Sequence, residues 1–396
     1  MSSYFERQPS PGEIEERIEG FQSWIEVDLD AVGHNLDQVK AATGREIIPC
    51  VKSNAYGHGL VPVAAYMARW GVRRVLVAKL WEAEQLRDAG LDVGIVNMDP
   101  LFAPQQYVYV VERGITQTVY QRKTAELLSE AAGKQGKRAK VWVKVDTGLG
   151  RVGVRWSEAP ALIEYVSKLP NLQIDGVFST LSEDTELDGL QVERLLEVER
   201  RCSEKGVSVG VKSMASSNAV FHEPHAYLDA VRPGIMLMGV YPEEADMNHG
   251  IQLRQSLCLK ARVEHVKWVE EGETLTYSRR FKAPRRMKVG TVHIGYSDGF
   301  PRGLTGKGRV RVGDEVRGVL GTVSVNHFLV DLTGTDVEPG DIVEAISREG
   351  VNDVMGLSSL AGIMTYSFVN GLNMLTPRVY TEKGVPVALY APRLRE

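Results

Sequence analysis

Between residues 47 and 235 the chain alternates eight short β-branched runs with stretches whose apolar residues recur at helical spacing. The runs fall at 47–52, 74–79, 93–98, 115–120, 141–145, 174–180, 207–214 and 228–235. Leu60, Val63, Ala64, Met67 and Ala68 show the intervening pattern, lying on one face of a helix. Strand-helix alternation predicts a parallel sheet, because each helix must carry the chain back before the next strand begins. Eight such units predict a closed barrel. Beyond residue 251 the pattern changes to short strands broken by glycine turns, at 257–268, 287–294, 309–311, 316–319, 327–332 and 341–345, the mark of an all-β module. A helical stretch near 358–375 then leads to a last strand at 378–380. The expected fold is therefore α/β, a (β/α)8 TIM-type barrel followed by a C-terminal β-rich domain.

The expected domains are an N-terminal extension over 1–22, the barrel over 23–253 and the β-rich domain over 254–396. Within the extension, 7–12 reads as disordered and 13–19 as weakly helical. Residues 24–29 alternate apolar and acidic side chains, so they read as a half-buried strand expected to join the β-rich domain.

The polar residues that packing explains least stand at the C-terminal ends of the barrel runs, where a barrel builds its active site. They include Lys52, Lys79, Asp146-Thr147-Gly148, Ser179-Thr180, Ser216-Ser217 and Arg232-Pro233-Gly234. Helix capping accounts equally well for Thr147, Ser179 and Ser216, but not for Lys52 or Arg232. Lys52 ends an apolar run and opens a polar, glycine-punctuated loop, Val51-Lys52-Ser53-Asn54-Ala55-Tyr56-Gly57-His58-Gly59. A lysine desolvated in this way can release its proton near neutral pH and condense with an aldehyde. Pyridoxal phosphate is the usual aldehyde.

Composition narrows the partners. With 47 basic and 51 acidic residues and a net charge of −4, no basic field draws the chain to nucleic acid or anionic lipid, and neither is expected. Cys50, Cys202 and Cys258 are widely spaced and lack a Cys-x-x-Cys arrangement, so they read as reduced, packed thiols. His293 and His327 look isolated, and no metal centre is expected. No run approaches the roughly 18 apolar residues of a membrane span, and the cytoplasm is the expected compartment.

The nine-residue lysine loop resembles the lysine motif of alanine racemases. Four further motifs follow in the order that family uses: Lys144-Val145-Asp146-Thr147-Gly148-Leu149-Gly150-Arg151, Val231-Arg232-Pro233-Gly234-Ile235, Thr276-Tyr277-Ser278 and Gly295-Tyr296-Ser297-Asp298-Gly299. The resemblance implies a homodimer with shared active sites, binding pyridoxal 5'-phosphate and interconverting L- and D-amino acids, with alanine the leading substrate. It implies that Lys52 and the Tyr277 of a second copy exchange the α-proton on opposite faces. It assigns Tyr56, Ser217, Gly234, Ile235 and Tyr366 to the phosphate, Arg232 to the pyridine nitrogen, and Arg151, Tyr296, Val325 and Asn326 to the substrate. Lys144, often carbamylated in the family, would orient Arg151. Because a guanidinium only donates hydrogen bonds, Arg232 keeps the ring nitrogen it faces unprotonated and weakens the ring as an electron sink. Reprotonation is then favoured over transamination or decarboxylation.

Two departures from the family pattern bear on function. Thr180 stands where the family has a histidine linking the catalytic tyrosine to the pyridine-facing arginine. Ser324-Val325-Asn326 replaces a Cys-Met-Asp stretch, removing a thiol, a thioether and a negative charge. Arg279, Arg280, Lys282, Arg285, Arg286 and Lys288 add positive charge near Tyr277, either as a solvated face or as an anion-attracting mouth. Three alternatives to alanine racemisation stay open at this level. They are racemisation or epimerisation of a larger or acidic amino acid, a pyridoxal-dependent lyase or decarboxylase reaction, and a degenerate cofactor-binding homologue without turnover.

Overall fold

Ile48, Cys50, Leu76, Val96, Trp142, Phe178 and Ala230 form one buried apolar cluster, contributed by strands that lie round a ring. In the computed structural model, which describes residues 4–391, the ring runs Glu46–Ile47, Ala230–Val231, Val211–Ser213, Leu172–Phe178, Ala139–Asp146, Thr116–Val119, Gly94–Asn97 and Arg74–Val77. All of these pairings are parallel, and a parallel bridge between Cys50 and Leu76 closes the ring. Each strand corresponds to one of the eight β-branched runs. Such runs suit strands buried on both faces, which a barrel wrapped in helices requires.

The β-rich part closes as well. Met287–Val292, Phe328–Asp331, Glu315–Leu320, Arg309–Val312, Ile342–Ile346 and Leu257–Val269 pair in that order, all antiparallel, and the last pairs with the first. Leu257–Val269 also pairs with Ser23–Asp28, which is followed in the sheet by Arg378–Glu382 and Val385–Tyr390. The first strand of the chain is thus a member of the β-rich sheet. Asp28 ends it and caps the helix Leu29–Thr43 by accepting hydrogen bonds from Asp30 N and Ala31 N.

Two expectations are corrected. The start of the chain is ordered over residues read as disordered: Ser10 caps the helix Pro11–Glu19 in a capping box with Glu13, and Ile14 is fully buried in a cluster with Trp24 and Val379. Ser-Pro-x-Glu is itself a start signal, with proline at the first helical position and a glutamate that reaches back to the cap. The helical stretch near 358–375 is two helices, Val354–Ala361 and Thr365–Gly371, separated by Gly362 in a left-handed conformation. Residues 1–3 and 392–396, the outer ends of the expected extension and β-rich domain, lie outside the described residues. Among those described, no helix is long and apolar enough to cross a membrane.

The lysine loop is the seam between the two parts. Ser53, Asn54, Ala55 and Tyr56 form a left-handed turn, with φ of 54, 58, 50 and 52°. For residues with a Cβ this costs about 1–2 kcal/mol each, so the surroundings must hold it. Asn54 Oδ1 accepts from Leu60 N at 2.8 Å and Asn54 O from Gly59 N at 2.8 Å. Buried Glu82 accepts from Ser53 N at 2.5 Å and from Ala78 N and Lys79 N at 3.0 Å. From the β-rich side, fully buried Arg378 donates to Gly57 O at 2.9 Å and spends its other donors on the carbonyls of Asn373, Met374 and Thr376. Gly57 has φ of 83°, and a Cβ there would sit 2.1 Å from Val369 O. A glycine is therefore required where the two parts touch.

His58, fully buried in the same loop, hydrogen-bonds Tyr56 O through Nδ1 at 2.8 Å, while its Nε2 has no partner. Burial pushes its pKa from the ordinary 6.5 to about 4, and the Arg378 charge adds to the shift. Below pH 6.5 the unfolded chain takes up a proton that the folded chain refuses until about pH 4, so stability falls with pH across that window. The expected loss is about 3 kcal/mol, at roughly 1.4 kcal/mol per pH unit. Urea unfolding of wild type and His58→Asn at several pH values checks it: the gap between the two proteins should change across this window and stay level above it.

Candidate active site

The C-terminal face of the barrel gathers Lys52, Tyr56, Ser217, Arg232, Gly234 and Ile235, with Tyr366 reaching it from the helix Thr365–Gly371. Lys52 is half-exposed rather than desolvated as its sequence context suggested, and its amine has no hydrogen-bond or ion-pair partner among the described residues. It is free to act as a nucleophile or base.

An anion cradle lies beside it. Ser217 Oγ accepts from Gly234 N at 2.9 Å, leaving its hydroxyl hydrogen to donate elsewhere. Ser217, rather than Ser216, is the serine that meets Gly234. The Tyr56 hydroxyl comes so close to Gly234 that a Cβ there would lie 2.4 Å from it, so only glycine permits this approach. Tyr366 stacks edge-on to Tyr56 with ring centroids 6.0 Å apart and lies within reach of Ser217. Burial raises the pKa of both phenols, so both remain protonated donors. Hydroxyl donors converging on a glycine backbone fit a phosphate.

Arg232 is buried and fixed. It donates to Ser213 Oγ at 2.7 Å, Ser179 O at 2.6 Å and Met214 O at 3.4 Å. Burial lowers its pKa to about 10, so it stays charged at neutral pH. Two basic side chains approach the Phe178 ring, with Arg232 Cζ 5.1 Å and Lys144 Nζ 4.6 Å from its centroid. Burial, then the charges of Arg232 and Arg151, push the Lys144 amine well below its ordinary range. Lys144 donates to Thr180 Oγ1 at 2.5 Å. The threonine at the family's histidine position is thus engaged by Lys144, while Arg232 bonds the backbone of the residue before it. Arg151 itself is exposed, at the end of a turn in which Asp146 Oδ1 accepts from Gly148 N and Gly150 N.

Tyr277, Tyr296, Val325 and Asn326 form a second group. Tyr277 is 73% exposed in a strained turn, with positive φ at Thr276, Ser278 and Arg279. It lines a cavity of about 400 Å³ with Thr322, Ser324 and His327. Tyr296 N donates to Ser324 O at 3.0 Å, Ser297 N and Oγ donate to Val325 O, and Asn326 Nδ2 donates to Ser297 Oγ at 2.9 Å. Among the described residues, no hydrogen bond, ion pair or ring contact joins this group to Lys52, Tyr56, Ser217 or Arg232. Arg285, Arg286 and Lys288 pair with Asp331, Glu270 and Glu338, so half of the basic cluster is neutralised locally.

Three features lay beyond the sequence reading. Glu82 braces the lysine loop, and its only signal was a glutamate three residues after a strand end. Phe178 gave no signal, because an aromatic in a core strand reads as packing. His293 and His327, taken as isolated, lie with ring centroids 4.8 Å apart, and both hydrogen-bond Glu264. The fold brings them together at the ends of neighbouring strands.

Residues 27–242 match the alanine racemase N-terminal domain and residues 256–380 the alanine racemase C-terminal domain. The alanine racemase of Desulforamulus reducens is 35% identical over 365 residues, covering 90% of this chain and 98% of that protein. The alanine racemase of Clostridium perfringens is 33% identical over 367 residues, covering 90% and 95%. Among solved structures, an alanine racemase of Clostridium difficile 630 superposes with a TM-score of 0.88 at 28% identity, covering 94% of this chain and 98% of its own. A histidine racemase of Leuconostoc mesenteroides superposes at 0.83 with 27% identity, covering 91% and 98%. The chain is therefore a racemase and belongs to the alanine racemase family.

Proposed function

We propose that this racemase holds pyridoxal 5'-phosphate at the barrel mouth and inverts a small amino acid, alanine first among candidates, in sites shared by two copies of the chain. The carrying observation is Arg232, a buried, charged, donor-only side chain pinned on three partners. Ser217, Tyr56, Tyr366 and the backbone of Gly234 and Ile235 would hold the phosphate, with Arg232 against the ring nitrogen. When bound, the cofactor supplies an aldehyde that joins the substrate amine and acidifies its α C–H bond. Each remaining role belongs to the chain. The Lys52 amine, unpartnered, takes or returns the α-proton on one face. A phenol must do the same on the opposite face, because inversion needs a proton donor and acceptor on each side. Tyr277 lies in a separate group within its own chain, so the phenol that meets Lys52 is read as that of a second copy. Arg151, Tyr296, Val325 and Asn326 would orient the substrate carboxylate.

A second reading, a different amino acid as substrate, is favoured by the chemistry at two positions. Thr180 accepts from Lys144 through its hydroxyl oxygen instead of offering an imidazole, and Asn326 carries no charge where the family has an aspartate. A less acidic mouth suits a substrate with an additional anionic group.

Proton NMR of the cofactor-loaded protein in heavy water, with single-enantiomer alanine, serine, aspartate, glutamate and histidine, separates these readings. Loss of the α-proton signal with inversion is expected, strongest for alanine. Strongest exchange with an acidic amino acid would establish the second reading, and carbon dioxide release without inversion would contradict both. In the same assay, Tyr277→Phe should slow exchange from one enantiomer at least 10-fold more than from the other, within the usual reach of general acid-base catalysis. Equal slowing would remove the two-face assignment.

A further inference from the structure

Glu264, His293 and His327 stand on three segments of the β-rich ring, outside the group formed by Lys52 and Arg232. Glu264 lies in Leu257–Val269, His293 directly follows Met287–Val292, and His327 directly precedes Phe328–Asp331. Their ligand atoms all lie within 4.8 Å of one another. His293 Nδ1 is 3.0 Å and His327 Nε2 2.8 Å from the same oxygen, Glu264 Oε2. Two imidazoles aimed at one carboxylate oxygen form a half-shell open to solvent on the other side.

The backbone gives a second, independent indication. The pairing of Leu257–Val269 with Met287–Val292 shifts register between Val263 and His265, so Glu264 is the extra residue of a β-bulge. A bulge re-aims a side chain that regular alternation would point elsewhere. This one turns Glu264 towards both histidines.

We propose that Glu264, His293 and His327 bind one divalent transition-metal ion of the zinc class. Two imidazoles and a carboxylate are the ligand set such ions prefer, whereas magnesium and calcium take oxygen ligands. Neutral imidazoles coordinate the ion, so any proton they carry is released on binding. The ion would also brace the substrate side of the site. His327 is tied to Ser324 by Ser324 N and Oγ donating to its carbonyl, each at 2.8 Å, which fixes the turn that carries Val325 and Asn326. His293 lies three residues before Tyr296. One ion would thus clamp both loops of the Tyr277 group. A second trio, His222, Asp246 and His249, serves as the control. There both carboxylate oxygens are engaged, Asp246 Oδ1 by His222 Nε2 and Oδ2 by Glu243 N, whereas both histidines of the first trio meet the single oxygen Glu264 Oε2.

Calorimetric titration of the cofactor-loaded protein with zinc chloride, and separately with magnesium chloride, tests the proposal. One zinc per chain is expected, with magnesium far weaker. Glu264→Gln and His293→Ala should each weaken zinc binding beyond the roughly 10–100-fold typical of an outer-shell change. His249→Ala should leave it intact. Unfolding midpoints and the cofactor absorbance of each variant show whether it has folded. Zinc should also slow amide hydrogen exchange over residues 322–327 in wild type but not in Glu264→Gln. Absence of zinc binding in wild type, equal affinity for magnesium, or unchanged binding in folded Glu264→Gln and His293→Ala would overturn the proposal.

Discussion

The bond from Arg378 to the carbonyl of Gly57 is the contact on which the site's geometry depends. Four consecutive residues beside Lys52 sit in a conformation that L-amino acids avoid. That turn persists only because both parts of the molecule grip it, Glu82 from the barrel and Arg378 from the β-rich sheet. Both grips are themselves buried and hydrogen-bonded, so neither can shift without leaving polar groups unsatisfied. The reward is position: Lys52 meets the opening with a free amine, and the Tyr56 hydroxyl meets Gly234.

The rest of the barrel mouth shows how buried cations can be tolerated. Arg232 and Lys144 approach one aromatic ring, and each finds oxygen acceptors. Desolvation is answered differently in the two cases. The guanidinium keeps its charge, while the amine is pushed towards its neutral form. A hydroxyl at position 180 suits this crowding, since it accepts from Lys144 Nζ without adding a charge of its own.

Much of this was legible in the sequence where local chemistry dictates structure. Eight β-branched runs could be read as eight strands because each is short and is separated from the next by a stretch of helical spacing. The acidic-apolar alternation of Trp24 to Asp28 marked a strand with one fully buried face, that of Ile25 and Val27. Composition hid the cap of the first helix, since Ser10 and Pro11 also signal turns and only the spacing to Glu13 distinguishes them. Long-range geometry left no local trace. Nothing near Tyr277 states that it lies apart from Lys52 in its own chain. A single-residue bulge at Glu264 has no periodic signature, yet it decides where that carboxylate points.

The central claim is that Lys52 of one chain and Tyr277 of another form one site. Co-purified mixtures of Lys52→Ala and Tyr277→Ala chains, each inactive alone, measure it most directly. In a two-fold dimer a mixed pair carries one site with both residues intact and one with neither. A statistical mixture should therefore recover about one quarter of the wild-type rate. Recovery near that level, absent from either variant alone, is the predicted result. No recovery, with mixed dimers shown to be present, would contradict the shared site and return both residues to a single chain.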